Sequence, residues 1–383
     1  MYRVAFATGS RADYGIMRRF LGLMQRDSEI ELKILATGAL LDDNYGRQVE
    51  LIYKDGFDVD VEADIELDST SDRNILHSMA VALDKFGEYF ERVKYDILII
   101  LGDRFEMLPV AAAAAMQKIP ILHVHGGEAT FANYDEFIRH SITKMSFYHF
   151  TSTEEYRRRV IQLGEAPDRV FNLGALGAEN CTYIDEANVP TEIKALPAKE
   201  YFVVLFHPET LTPVSEEEQM DALLGAIKEH EDHRYVFIGS NADTNSNIIR
   251  TALHRHVSES SNAVYCENLH SDAYHYRVKH SVCLIGNSSS GIIEAPSLGV
   301  YTVNIGSRQD GRVRGGSVID VKCDRKAISE AISRVIGSGP PAPENPYYQK
   351  NSAVRYYETT KKILSELSAS ELQPKIFYDI AFE

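Results

Sequence analysis

Chemistry in this chain is offered by short runs of charged and small polar residues, each set behind an apolar, strand-like run. The first is TGSRADYG, where Gly9 and Gly15 permit a tight turn and Arg11 projects beside the amide groups that open the next helix. Alone it reads as a structural β–α turn with a solvated arginine, and without G-x-G-x-x-G it gives no dinucleotide fingerprint. The second is LGDRFE, with Asp103 and Arg104 at a strand end. Asp103 is there either a helix N-cap with Arg104 as its surface neighbour, or a functional carboxylate; both readings stand. In IPILHVHGGE, His123 and His125 lie two apart on a strand and so share one face. Such a pair can hold a metal but is more often hydrogen-bonded, and the Gly126-Gly127 step suggests a backbone that approaches a ligand closely. Glu128 follows, and NYDEFIRHSITK then spaces Asp135 from Arg139 and Glu136 from His140 by four, either a solvated helix face or part of a site. Asp103, Glu128 and Asp135 together would supply an acid or base with a shifted pKa.

The second half offers binding groups. LFHPET puts His207 at a strand end, usually a structural position, and IGSNADTNSN presents Ser240 and Asn241 before a helix. The run GNSSSGIIEAPSLGVYTVNIGSRQDGRVRG, residues 286–315, carries the strongest signal. Ser288, Ser289 and Ser290 can bring hydroxyls and helix amides against a phosphate, and Glu294 one turn later can accept from a ribose diol. Arg308, Arg312 and Arg314 crowd the next strand end; charge-assisted bonds of this kind are worth about 1.5–3 kcal/mol each. The spacing of Gly306 and Gly311 is that of a P-loop, but Arg312 and Val313 stand where Lys and Ser or Thr are needed, so that motif is rejected.

The elements that must position these groups alternate between strand and helix, the pattern of parallel sheets covered by crossover helices. Strands are expected at 3–8, 31–37, 96–102, 120–125 and 147–151, then at 201–206, 235–238, 282–286, 301–304 and 318–321. Ile75, Met79, Leu83, Phe86 and Phe90 predict a helix over 71–93, capped by one of the Ser or Asp residues before it. A polar lapse over 182–199 marks a boundary between an N-terminal domain, 1–185, and a C-terminal one, 186–346, with 347–383 packing back on the first. Ligands of such sheets bind outside the carboxyl ends of the strands, which is where the polar runs fall.

A chain of 383 residues is large enough for two domains, each with its own core. Its formal charge of -16 opposes a nucleic-acid partner or an anionic membrane surface, while local arginines still admit a small anion. Four cysteines without a C-x-x-C pair indicate neither a disulfide framework nor a zinc site. With no leader-like start and no run of 18 apolar residues, a soluble cytoplasmic protein is expected.

Taken together, TGSRADYG, LGDR, HGGE, DEFIRH, FHPET, GNSSSGIIEAPSLG, IGSRQDGR and the terminal FYDI resemble the UDP-N-acetylglucosamine 2-epimerase family, most closely its hydrolysing bacterial members that feed sialic acid synthesis. The resemblance spans nearly the whole chain. It implies a GT-B fold, two Rossmann-like α/β domains with parallel sheets flanking a central cleft, UDP held mainly by the C-terminal one, and a homodimer. The implied reaction turns UDP-N-acetylglucosamine and water into N-acetylmannosamine and UDP through a glycal, without metal or nicotinamide cofactor. By matched position, Arg11, His207, Asn241, Ser288, Ser289, Glu294 and Arg308 are implied UDP contacts, and Asp103, Glu128 and Asp135 the acid/base set, with His207 also counted near the chemistry. Arg104 and His125 are taken as substrate-binding. Two departures stand out: His125 replaces a glutamate of many relatives, so that proton handling falls either to His125 in that glutamate's place or, the preferred reading, to Glu128, and Ile16 replaces a lysine, whose charge Arg18 or Arg104 would then supply. The same chemistry on a 6-deoxy di-N-acetylated UDP-sugar, a GT-B glycosyltransferase, a metal-dependent hydrolase on His123 and His125, and a nucleotide-sugar sensor are the alternatives.

Overall fold

The computed structural model describes the chain except residues 44–45, 132–133, 210–213, 240–245, 268, 343, 370–373 and 382–383. Its contacts separate into two units. One comprises Met1–Glu128, Tyr134–Leu176 and Gln349–Glu383, the other Ala129–Asn133 and Gly177–Tyr348. The change of unit falls between Leu176 and Gly177, so the polar stretch 182–199 lies inside the second unit. There Cys181 and Glu179 are buried, and the Cys181 thiol points at the Glu294 carbonyl.

Among the described residues the first unit is built on seven parallel strands: β1 Tyr2–Thr8, β2 Ile30–Thr37, β3 Val59–Ala63, β4 Ile97–Leu101, β5 Ile121–Val124, β6 Tyr148–Thr151 and β7 Val170–Asn172. Their spatial order is β3-β2-β1-β4-β5-β6-β7. Helices cover both faces, so the inner strands must be apolar on both sides, and every residue of the β4 run ILIIL is buried. One face packs Phe6, Phe20, Ile34, Phe150 and Tyr356; the other packs Phe86, Phe90, Ile100, Val110 and Ile142. Each such side chain contributes about 1.5–3 kcal/mol on burial. The Ser352–Ala369 helix packs back on this unit: the Tyr356 ring meets Phe20 and Phe150, and its hydroxyl donates to the Gly174 carbonyl at 2.9 Å.

Among its described residues the second unit has six parallel strands: β8 Tyr201–Leu205, β9 Arg234–Ile238, β10 Ala263–Cys266, β11 Cys283–Gly286, β12 Tyr301–Ile305 and β13 Val318–Val321, in the order β10-β9-β8-β11-β12-β13. Phe202, Val204, Phe237, Ile285 and Val303 centre its core.

Both sheets run outward in opposite senses from a central pair, β1 with β4 and β8 with β11, which is the doubly wound topology. At such a reversal the connections leave to opposite faces and open a crevice beyond the strand ends.

All ten expected strands are present, and β3, β7 and β10 are additions. The helix expected over 71–93 spans Asp72–Arg92, with Ser71 as N-cap accepting from the Asn74 amide at 3.2 Å. Its face is corrected at Leu83, which is exposed, whereas Phe86 and Phe90 are fully buried. All four cysteines are free thiols, and no helix among the described residues is long and apolar enough to cross a membrane.

Candidate functional site

In the first unit the groups gather where β1 and β4 end. Ser10 caps the Arg11–Gln25 helix, its hydroxyl accepting from the Asp13 amide at 3.2 Å and donating to the Asp13 carboxylate at 2.8 Å. Arg11 is the first helical residue, partly buried, and burial lowers its pKa from the ordinary arginine value. Beyond β4, Asp103 is no N-cap, because the helix starts only at Met107. Asp103 instead pairs with Arg139 from the Asp135–Met145 helix.

Arg104 donates through Nε to Glu106 Oε1 at 2.6 Å and stands 4.0 Å from Asp13. Glu106 is wholly buried, folded under the β1 turn so closely that a Cβ on Gly9 would stand 2.2 Å from Oε1. Here glycine is required by a carboxylate, not by the turn. Burial pushes Asp13 up to about 6, with Arg104 and the Ser10 hydroxyl opposing it. Of the two arginines that were candidates to stand in for a lysine at Ile16, Arg18 pairs with Asp55 on its own side of the helix, and Arg104 alone joins the strand-end charges.

Arg139 organises the next group. Its guanidinium is 1% exposed and reaches Asp103, the Glu136 carboxylate at 2.7 Å and the Glu128 carbonyl at 2.8 Å. The expected pairing of Glu136 with His140 is present at 3.2 Å. Asp135 is the first residue of the same helix and partly buried. Glu128 is buried, accepts from the Ser152 hydroxyl at 2.7 Å and lies 3.5 Å from His125 Nδ1.

The histidine pair needs correcting. Strand β5 ends at Val124 and His125 turns into the left-handed region at φ 65°, so the two rings do not share a strand face. His123 is buried with Nε2 donating to the Gly102 carbonyl at 2.8 Å and Nδ1 3.1 Å from the Thr143 hydroxyl. Burial drives its pKa down to about 3, with the Gly102 carbonyl opposing, so the ring is neutral. With both nitrogens engaged it is a structural tie, and no metal-binding group of His, Cys, Asp and Glu occurs among the described residues. The glycine step is also corrected: a Cβ on Gly127 would meet the Tyr156 carbonyl at 2.5 Å, and one on Gly126 the His123 ring at 3.0 Å. Protein, rather than ligand, fills that space.

In the second unit the corresponding reversal lies between β8 and β11. The fully buried Asn287 side chain clasps the chain beyond β8: Oδ1 accepts from the His207 amide at 2.8 Å and Nδ2 donates to the His207 carbonyl at 2.8 Å. His207 is thereby fixed and buried. The Asn287 carbonyl accepts from Gln309 Nε2 at 2.8 Å and from Arg308 Nη1 at 3.3 Å. Glu209 accepts from the Ser307 and Arg308 amides, both at 2.8 Å, which shapes the turn at Gly306. Of the three arginines read as one cluster, Arg314 is spent on Asp320 at 2.8 Å and on Asp310 at 3.5 Å. It braces its own loop.

Ser288 and Ser289 are partly buried beyond β11, and the Ser288 hydroxyl accepts from the Ser290 amide at 3.3 Å. Glu294 takes a bond from the Ser290 hydroxyl at 2.5 Å and faces His275 Nε2 at 3.2 Å. Burial works against its ionisation, but His275 and Ser290 outweigh that and lower its pKa. Asn241 and Ser240 lie outside the described residues.

Sequence reasoning did not single out Asp13, Glu106 or Glu209, although each stands inside a motif it quoted, and it read Asn287 with the serines after it as small polar groups for a phosphate, whereas its side chain holds the His207 backbone. His275 had no signal, since it reaches Glu294 from 19 positions away.

The family model described as UDP-N-acetylglucosamine 2-epimerase matches residues 23–361. Among curated proteins, the chain is 46% identical to polysialic acid biosynthesis protein P7 of Escherichia coli, over 99% of this chain and 98% of that one. It is 34% identical to the GDP/UDP-N,N'-diacetylbacillosamine 2-epimerase (hydrolyzing) of Campylobacter jejuni, over 83% of this chain and 84% of that one. Among solved structures, the UDP-GlcNAc 2-epimerase of Neisseria meningitidis bound to UDP-GlcNAc superposes with a TM-score of 0.78 at 19% identity, covering 94% of this chain and 100% of that one. The fold is thus GT-B, two α/β domains each built on a parallel sheet.

Proposed function

The chain belongs to the UDP-N-acetylglucosamine 2-epimerase family, and from that premise we propose that it is a hydrolysing epimerase converting UDP-N-acetylglucosamine and water to N-acetylmannosamine and UDP. The observation that carries the reading is the set of carboxylates at consecutive strand ends, Asp103 locked to a buried Arg139 and Glu128 buried beside Ser152. Proton transfer needs such groups held in place and shielded from water.

In this reading the C1–O bond to UDP breaks first, because H2 is weakly acidic, giving an oxocarbenium-like state. Glu128 takes the C2 proton, with His125 beside it, and the C1–C2 double bond of the glycal forms. Water then adds its oxygen to C1 while a proton returns to C2 from the other face. Asp103 and Asp135 complete the acid/base set. Arg11, Arg104 and Arg308 offset the charge gathering on the departing diphosphate. Ser288 and Ser289 contact the diphosphate, the ionised Glu294 accepts from the ribose, and His207 and Asn241 complete the UDP contacts. The chain acts as a cytoplasmic homodimer without metal or cofactor, and its product feeds sialic acid synthesis, in keeping with the naming of the Escherichia coli relative.

The Campylobacter relative supports a second substrate, a UDP-2,4-diacetamido-6-deoxy sugar processed by the same steps. Both sugars, given separately to purified protein in deuterated water with no acceptor, decide the matter. Irreversible UDP release with deuterium at C2 of free N-acetylmannosamine is expected. Accumulation of UDP-N-acetylmannosamine, or free sugar without deuterium, would overturn the hydrolysing mechanism.

A further inference from the structure

The terminal KIFYDI run has no part in the chemistry above, yet its first residue is anchored in the first unit. Lys375 places its ammonium against the last carbonyls of the Asp135–Met145 helix, 2.7 Å from Lys144 O, 2.5 Å from Ser146 O and 3.3 Å from Thr143 O. Its fourth neighbour is the buried Glu165 carboxylate at 2.8 Å, which also holds Lys144 at 2.6 Å and His149 at 3.0 Å. Burial draws Lys375 down to about 8, with Glu165 opposing, so the ammonium is the main form at pH 7. Two residues on, the Phe377 ring lies 4.8 Å from the Lys144 ammonium and fills the space over Gly164, where a Cβ would meet it at 2.2 Å. The Tyr378 amide donates to the Gly164 carbonyl at 2.9 Å.

The end of a helix leaves its last carbonyls without partners, and a cation there satisfies them and complements the helix dipole. This helix carries Asp135, Glu136 and Arg139. From its capped end, Thr143 contacts His123 at 3.1 Å, and His123 donates to the carbonyl of Gly102, the residue before Asp103. Arg139 closes the circuit on Asp103.

We infer that Lys375 is a positioning residue and the Lys375–Tyr378 segment a latch, which fixes the register of the Asp135–Met145 helix and so the geometry of the Asp103–Arg139 pair. The inference rests on the functional reading only in taking that pair as part of the reaction machinery.

The test uses the full chain with Lys375→Ala, Lys375→Arg and Phe377→Ala, reading hydrogen exchange of the helix amides without substrate, and kcat and KM from UDP release. Lys375→Ala should speed exchange in the last two turns and lower kcat about tenfold, the scale of a small misplacement of a reacting group, with KM held within about twofold. Lys375→Arg should restore most of both, and Phe377→Ala should shift both less, in the same direction. If Lys375→Ala does not fold, Phe377→Ala carries the test, and helix exchange unchanged in that variant overturns the latch. Unchanged exchange in a folded Ala variant overturns the latch, as does faster exchange with wild-type kcat. An inactive wild-type protein would sink the functional reading alone, since exchange is read without substrate.

Discussion

At the reversal of the first sheet, charges are held by opposite charges: Asp103 by Arg139, Glu136 by Arg139, Glu106 by Arg104. At the same place in the second sheet, neutral groups and backbone do the holding: Asn287 clasps His207, and Glu209 is seated on two amides. One topology therefore carries two kinds of site. Opposed charges in a shielded place hold ionisable groups in fixed positions, which suits proton transfer. A frame of hydrogen bonds to the backbone keeps its shape, which suits recognition of a fixed ligand.

The comparison is broken most directly through the first site. Glu128→Gln keeps the bond from Ser152 but removes the base. Turnover should fall by about 10²–10⁴, the usual worth of a positioned acid or base, while KM stays within about threefold. Steady-state UDP release measures both. A loss in KM alone would mean that the first site binds rather than reacts, and the contrast would fail.

The second site should answer with stability instead. Asn287→Ala removes the two buried hydrogen bonds that its side chain makes with the His207 amide and carbonyl, each at about 1–3 kcal/mol. Urea unfolding should show a loss of about 2–4 kcal/mol. A variant with wild-type stability but a large loss of kcat would place chemistry where the frame is.

How much of this was legible follows from burial. The ten strands read from sequence include every inner strand of both sheets, since an inner strand must be apolar on both faces. The three not read, β3, β7 and β10, are all at sheet edges. Val59–Ala63 reads VDVEA, with charge on its open face, and β7 has only three residues. An edge that is short or charged avoids pairing with other chains, and in β3 and β7 the same features erase the periodicity.

The site was legible as motifs but not as partnerships. Asp103, Arg104 and Glu128 stood out by position behind apolar runs, yet sequence left Asp103 equally open as a helix cap or a functional carboxylate, and the partner that decides against the cap stands 36 residues on. Gly126 and Gly127 looked like room for a ligand, while Tyr156 and His123 occupy that room. Spacing reports neighbours along an element, and these pairs join different elements.

A finer test of the contrast lies in Asp13, an acid that the first site raises to about 6 from an ordinary value of 3.8, chiefly through burial. For an acid with a raised folded pKa, the associated stability is fully present below the unfolded value and is lost as pH rises through the folded one. Asp13 is thus a cost to the fold above pH 6 and none below pH 4. Asp13→Asn should therefore stabilise the protein at pH 7.5 relative to its effect at pH 4, by about 1–2 kcal/mol once partial exposure is allowed for. Paired urea titrations at the two pH values give the difference. The fully buried Asn287 offers no such dependence, so Asn287→Ala should cost the same at both. Equal pH responses from the two variants would show that the first site is not loaded with charge in the way its geometry implies.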